Sequence, residues 1–213
     1  MKNKVLLNLL LLSFSFGYAQ NYKFDNVVWY TLDYGIQHGT YYNQKNFSYA
    51  MRFLQHGTAT TALLTDMNSN LHHFYTVNKI EQANGDTLFD FRYTHSSVNK
   101  NYMKKFGQEY EVETLQHSAD STGVKLKIYR GSKRKRPLHV ALLQLKPHTK
   151  NVFPVIKFVL MDTALNLIDF KYPQNVIVAS AEYMMNGNRL TYTHDSVADA
   201  NFLVPMPKKI IFK

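Results

Sequence analysis

The chain has 213 residues, 25 lysines and arginines against 15 aspartates and glutamates, and no cysteine. The missing thiol excludes disulfides, thiolate metal sites, cysteine nucleophiles and a lipoprotein-type lipid anchor. The length fits one domain with a sizeable core, and the positive charge comes without any nucleic-acid-binding motif, so nucleic acid is not an expected partner.

Residues 1–19 read as a secretory signal peptide. Lys2 and Lys4 form a positive start, and residues 5–16 are apolar except for Asn8, Ser13 and Ser15. Gly17-Tyr18-Ala19 then places small residues at the positions a signal peptidase reads, with the cut expected before Gln20. The apolar run falls short of the about 20 residues that span a membrane. Residues 20–213 are therefore expected to form a single β-rich domain, exported to the periplasm or beyond the cell. Export without disulfides suits a Gram-negative envelope.

Downstream, Asp25 and Asp33 stand at even spacing in the first predicted strand and so share a face. Two such carboxylates suit acid–base work, or mark a wet face paired with basic residues next door. Over residues 47–55, Phe47, Tyr49, Met51 and Phe53 alternate with smaller or polar residues, the pattern of a half-buried strand. Further strands are expected over 71–82 and 87–95, joined by Asn84-Gly85, a two-residue hairpin turn. Residues 99–106 are a loop or one helical turn. Strands over 111–115 and 124–130 are joined by Asp120-Ser121-Thr122-Gly123. Residues 138–145 are apolar on both faces, hence a central strand or a short helix started by Pro137. The last hairpin joins 176–184 to 189–194 through Asn186-Gly187-Asn188. The expected fold is mainly β: one antiparallel meander forming a strongly curved sheet or partial barrel, with few short helices.

Chemistry-bearing groups are sparse. Lys133, Arg134, Lys135 and Arg136 form a basic run in a strand-to-strand connection. Such a run is either a solvated hairpin tip or a contact for anionic lipid head groups. His72 and His73 are adjacent and point to opposite sides of a strand, and His38, His56, His95, His117, His139, His148 and His194 are scattered. None has metal-ligand spacing, so no metal or cofactor is expected. His194-Asp195-Ser196 has the composition of a catalytic triad without a nucleophile turn, and reads as a strand end followed by a turn. The excess is aromatic: 15 tyrosines, 14 phenylalanines and Trp29.

The order of segments carries a resemblance. Residues 28–39 give an aromatic strand, Tyr34-Gly35-Ile36 and then Gly39. Phe74-Tyr75-Thr76-Val77, Leu88-Phe89-Asp90-Phe91-Arg92-Tyr93 and Asn188-Arg189-Leu190-Thr191-Tyr192 follow, and the chain closes with Val204-Pro205-Met206-Pro207. This order resembles a family of exported bacterial β-meander proteins of unknown function. There is a looser architectural likeness to periplasmic lipoprotein carriers, whose curved sheet holds acyl chains. The resemblance implies a curved antiparallel sheet, a last strand with a proline-marked start, and an envelope location. It implies no catalytic residues.

Together these readings lead to an exported envelope protein without catalytic activity, holding a lipid-like ligand or a partner's segment on a concave apolar sheet face. An anionic membrane surface and another envelope protein are the expected partners. Two alternatives stay open: an enzyme whose site is assembled from several strands, and a small outer-membrane barrel. Pro205 and Pro207 in the final strand argue against the barrel.

Overall fold

Alternating apolar and polar side chains produce strands, and short turns keep consecutive strands adjacent. The computed structural model describes residues 21–213 except 57, 84–86, 99–107, 131–135, 161–170 and 186–187. Its strands are β1 (Asn21–Leu32), β2 (Gln37–Asn43), β3 (Asn46–His56), β4 (Ala59–Asp66), β5 (Leu71–Glu81) and β6 (Thr87–Val98), then β7 (Gln108–His117), β8 (Thr122–Arg130), β9 (Pro137–Pro147), β10 (Val176–Met185) and β11 (Asn188–Pro205). A four-residue helix, α1 (Ile156–Val159), lies between β9 and β10.

All eleven strands join one sheet in the order β6-β5-β4-β3-β2-β1-β11-β10-β9-β8-β7, not closed into a barrel. Two meanders, β1 to β6 and β7 to β11, meet where β1 pairs antiparallel with β11. The outermost strands, β6 and β7, are consecutive in the chain, separated by residues 99–107. That connection reaches about 30 Å when fully extended. Eleven strands laid flat would put the edges about 48 Å apart. The short connection therefore requires the sheet to curl, in agreement with the curved meander expected from the sequence.

Residues 138–145 are strand: β9 pairs with β8 on one side and β10 on the other. Both expected strand pairs form: Met185 pairs with Asn188 across a two-residue link, whereas Glu81 pairs with Thr87, so the β5–β6 connection spans five residues and not the expected two; residues 84–86, 186–187 and the 99–106 segment lie outside the described residues. Three local expectations differ. Asp33 leaves the first strand and opens a 3₁₀ turn ending at Gly35, whose φ of 77° suits a residue without a side chain. Residues 194–196 do not end a strand. β11 runs through them, and a bulge there absorbs the extra residue, with Trp29 opposite Ser196 and Tyr30 opposite His194. Pro205 ends β11 rather than starting a strand. Beyond it the tail returns to β6, where Ser96 N donates to Ile211 O at 2.7 Å and Lys213 N to Ser96 O at 3.2 Å.

The sheet has two cores, not one. The first gathers Tyr22, Phe24, Tyr49, Met51, Leu64, Tyr75, Val77 and Phe91 from the first meander, with Phe53, Phe89 and Phe202 packed against them. The second gathers Val124, Leu126, Ile128, Leu143, Leu145, Val178 and Tyr183 from the second meander. It is completed by Val152, Phe153, Val155, Ile156, Val159 and Leu160 from the β9–β10 connection. Neighbouring residues in β2 separate the cores: Tyr42 belongs to the second, whereas Tyr41 packs against the first. Successive strand residues point to opposite faces, so Tyr41 and Tyr42 reach the two cores from opposite faces of β2, whereas along β1 Tyr22 and Phe24 of the first core and Val28 and Tyr30 of the second stand at positions of the same parity. Gly39 is fixed there by a close approach, since a Cβ would stand 2.8 Å from the Trp29 ring.

Candidate functional site

Two polar turns meet at one end of the first meander. Residues 44–45 join β2 to β3, and residues 67–70 join β4 to β5. Met67 N donates to Ser48 O at 2.8 Å and Asn68 Nδ2 to Ser48 Oγ at 3.0 Å, tying the turns together. Asp66 organises the second turn. Its Oδ1 accepts from Asn68 N at 2.8 Å and Ser69 N at 3.3 Å; its Oδ2 accepts from Ser69 Oγ and Tyr22 OH, each at 2.9 Å. Four bonds saturate a carboxylate. Asn70 completes the turn with a φ of 57°, a conformation that asparagine tolerates.

Between the turns and the start of β1 lies a cleft of about 540 Å³, lined by Asn21, Tyr22, Asn46, Tyr49, Asp66, Asn68, Ser69 and Met206. It adjoins a second hollow of about 420 Å³, which shares Asn46 and Asn68 and adds Lys45, Phe47, Ser48, Met67 and the buried Lys157. Tyr22 and Tyr49 meet edge to face at 5.1 Å, so the aromatic wall is rigid. Tyr49 OH donates to Lys23 O at 3.0 Å, and Asn43 Nδ2 donates to the same carbonyl at 3.1 Å.

A buried polar chain runs from this cleft into the first meander. His73 Nε2 lies 3.4 Å from Tyr22 OH, and His73 Nδ1 lies 2.7 Å from Ser96 Oγ. Ser96 Oγ lies 2.7 Å from Tyr93 OH, which accepts from Ile211 N at 3.0 Å. One proton assignment satisfies every member: Tyr93 donates to Ser96, Ser96 to His73 Nδ1, His73 Nε2 to Tyr22, and Tyr22 to Asp66. It requires a neutral imidazole. Burial pushes the His73 pKa below its ordinary value, with Asp66 opposing. Burial, followed by the Asp66 charge, holds the Tyr22 phenol far above its ordinary range. Ser96 and His73 have the residue types of a nucleophile and base, but Ser96 is 0% exposed and no carboxylate touches the imidazole directly. Ser96 and Tyr93 hold the C-terminal tail against β6.

The residues singled out from the sequence stay apart. Lys133, Arg134 and Lys135 lie outside the described residues; Arg136 is exposed between β8 and β9. Asp25 Oδ1 accepts from Gln44 N at 2.9 Å, whereas Asp33 Oδ2 accepts from Thr191 N at 2.8 Å, so the two carboxylates brace different strands. Asp195 accepts from Thr31 Oγ1 at 2.7 Å, and His194 lies edge-on to Tyr30. His95 stacks on Phe74, His117 bonds Thr122, and His139 bonds Tyr183. Among the described residues no three histidines or carboxylates converge on a metal-sized space.

Both cores are packed, among the described residues, with the chain's own side chains. An apolar hollow of about 320 Å³ on the outer side of the second meander is lined by Val140, Leu142 and Met184 and flanked by Lys125, Glu182 and Arg189. The turn cleft was not visible in the sequence reading. Its signal was the clustering of Asn43, Asn46, Asn68, Ser69 and Asn70 at two turns, whose proximity the sequence does not encode locally. Compared with known proteins, the chain matches no family model, no curated protein and no solved structure.

Proposed function

We propose that the chain is an exported, non-catalytic binding protein of the bacterial envelope whose ligand sits in the cleft between the β2–β3 and β4–β5 turns. The observation that carries this reading is the cleft itself. Its about 540 Å³ falls within the roughly 300–1,000 Å³ of small-molecule sites. Its walls are locked in advance by the Asp66 hydrogen bonds and the Ser48–Asn68 tie. Preorganised walls lower the ordering cost of binding.

Binding is favoured over catalysis because the reactive groups nearby are engaged. Asp66 has its lone pairs filled and Ser96 is sealed from solvent. The outer-membrane barrel fits less well, because a membrane-spanning sheet has no free edges and this one is open. Location rests on residues 1–19. The basic connection between β8 and β9, ending in exposed Arg136, gives the domain a surface for anionic head groups, each cation contributing about 1 kcal/mol there.

Fractionation of the native cells with N-terminal sequencing tests the assignment. A chain beginning at Gln20 in the envelope or medium is expected. An uncleaved chain in the cytosol overturns it. Co-sedimentation with anionic vesicles, comparing wild type with a variant carrying Lys133→Ala, Arg134→Ala, Lys135→Ala and Arg136→Ala, tests the membrane contact. Equal sedimentation returns the run to a solvated tip.

A further inference from the structure

We infer that the cleft takes a short, neutral oligosaccharide, an inference that rests on reading it as the ligand seat. The lining supplies the evidence. Three primary amides, Asn21, Asn46 and Asn68, stand around it with the hydroxyl of Ser69. Asn46 uses its Oδ1 to accept from Ser48 N at 3.0 Å, leaving its amide protons available. Asn68 uses its Nδ2 on Ser48, leaving its Oδ1 as an acceptor. The Asn21 amide makes no hydrogen bond to a described residue and is exposed. Donors and acceptors thus alternate around one space.

Amides and hydroxyls both donate and accept, as sugar hydroxyls do, and carry no charge. The one carboxylate in the lining, Asp66, is already saturated by the turn, so it contributes no strong demand for a cation. Tyr22, Tyr49 and Met206 supply apolar surface in the lining, matching the C–H faces of a pyranose ring. An acyl chain would leave the amides unpaired on binding, which costs free energy. A peptide is less well matched: the lining, drawn from β1, β3, the β4–β5 turn and the segment after β11, contains no residue of the two edge strands β6 and β7 that could pair with an added strand. A saccharide satisfies both halves of the lining together.

The test uses the mature domain and four probes: N-acetylglucosamine, chitotriose, cellotriose and maltotriose. Calorimetry and side-chain amide NMR are run on wild type, Asn21→Ala and Met206→Trp. Asn21→Ala removes an exposed amide that bonds no described residue; Met206→Trp fills the cleft. At least one probe is expected to bind one-to-one and shift the Asn46 and Asn68 amide signals. Asn21→Ala should weaken it about fivefold, the scale of one hydrogen bond, and Met206→Trp should abolish it. Unchanged melting temperatures rule out misfolding as the cause. No response to any probe from a correctly exported, folded protein overturns the saccharide inference while leaving the exported-binder reading in place. Binding that both variants retain also overturns it, because the sugar then sits elsewhere. A random peptide library that yields a cleft-dependent binder, with no sugar response, replaces the saccharide with a peptide.

Discussion

The two meanders solve one problem in different ways. Each half of the sheet curls and must fill its own concave side. The first half fills it with rings gathered around one from β11: Phe202 lies within 5.7 Å, centroid to centroid, of Phe24, Tyr41, Phe89 and Phe91. The second half has smaller strand residues, such as Val124, Leu126, Ala141 and Ala181, and leaves room for inserted chain. Residues 152–160 occupy that room, with Phe153 fully buried. The first half therefore keeps its turns unencumbered, and its cleft forms there. A curled sheet can be filled by side-chain volume or by a length of backbone, and the choice decides where open space remains.

The largest effect should come from emptying the second core. Phe153→Ala is expected to cost about 3–5 kcal/mol, because an inserted segment has little means of collapsing onto the void. Urea denaturation measures it. A loss under about 1 kcal/mol would mean that the insertion is a cover and not a core element. Phe202→Ala in the first core should cost slightly less, about 2–4 kcal/mol, since Phe202 keeps some solvent contact. The double variant tests whether the cores are independent. Their losses should add to within about 0.5 kcal/mol, and strong coupling would merge the two cores into one.

Next in size is the buried polar chain of the first core. Ser96→Ala should cost about 1–3 kcal/mol by orphaning His73 Nδ1. It should also loosen the tail, visible as faster amide exchange at Ile211 and Lys213. The pH dependence follows from His38, His73 and His194, all held below the ordinary 6.5, first by burial. The unfolded chain binds more protons than the native one just below that value. Stability is thus fully present above about pH 6.5 and is lost as pH falls through the depressed native values. Urea midpoints from pH 8 to pH 5 should decline only in that lower window, and His73→Gln should flatten part of the slope. An identical slope in the variant would remove His73 from the account.

The smallest effect concerns the outer side. Glu182 and Arg189 form an ion pair on the second meander with side-chain exposures of 37% and 62%. A double-mutant cycle should give about 0.2–1 kcal/mol. A larger coupling would shift part of the difference between the halves from their cores to their surfaces.

Local sequence determined the strands. Alternation in 47–55, 87–95 and 124–130 specifies which residues face inward, because side chains in a strand repeat every two positions whatever lies beside them. Short connections between the alternating runs specify which neighbours pair, because they leave little chain for reaching any other strand. Little of the cleft was legible. Its amides sit on turns as ordinary turn residues do, and nothing local says that Ser48 will meet Asn68, 20 residues away. Residues 152–160 carry no strand periodicity, so their burial depends on the vacancy left by small residues in β8 to β11. The bulge at residues 194–196 arises because β11 must match a shorter β1, which is a property of the pair. The joining of the two meanders through β1 and β11, and the division of the interior into two cores, were decided by tertiary structure alone. They rest on contacts between chain ends more than 170 residues apart, such as Asn21 with Pro205, and local pattern carries no information about such distant closure.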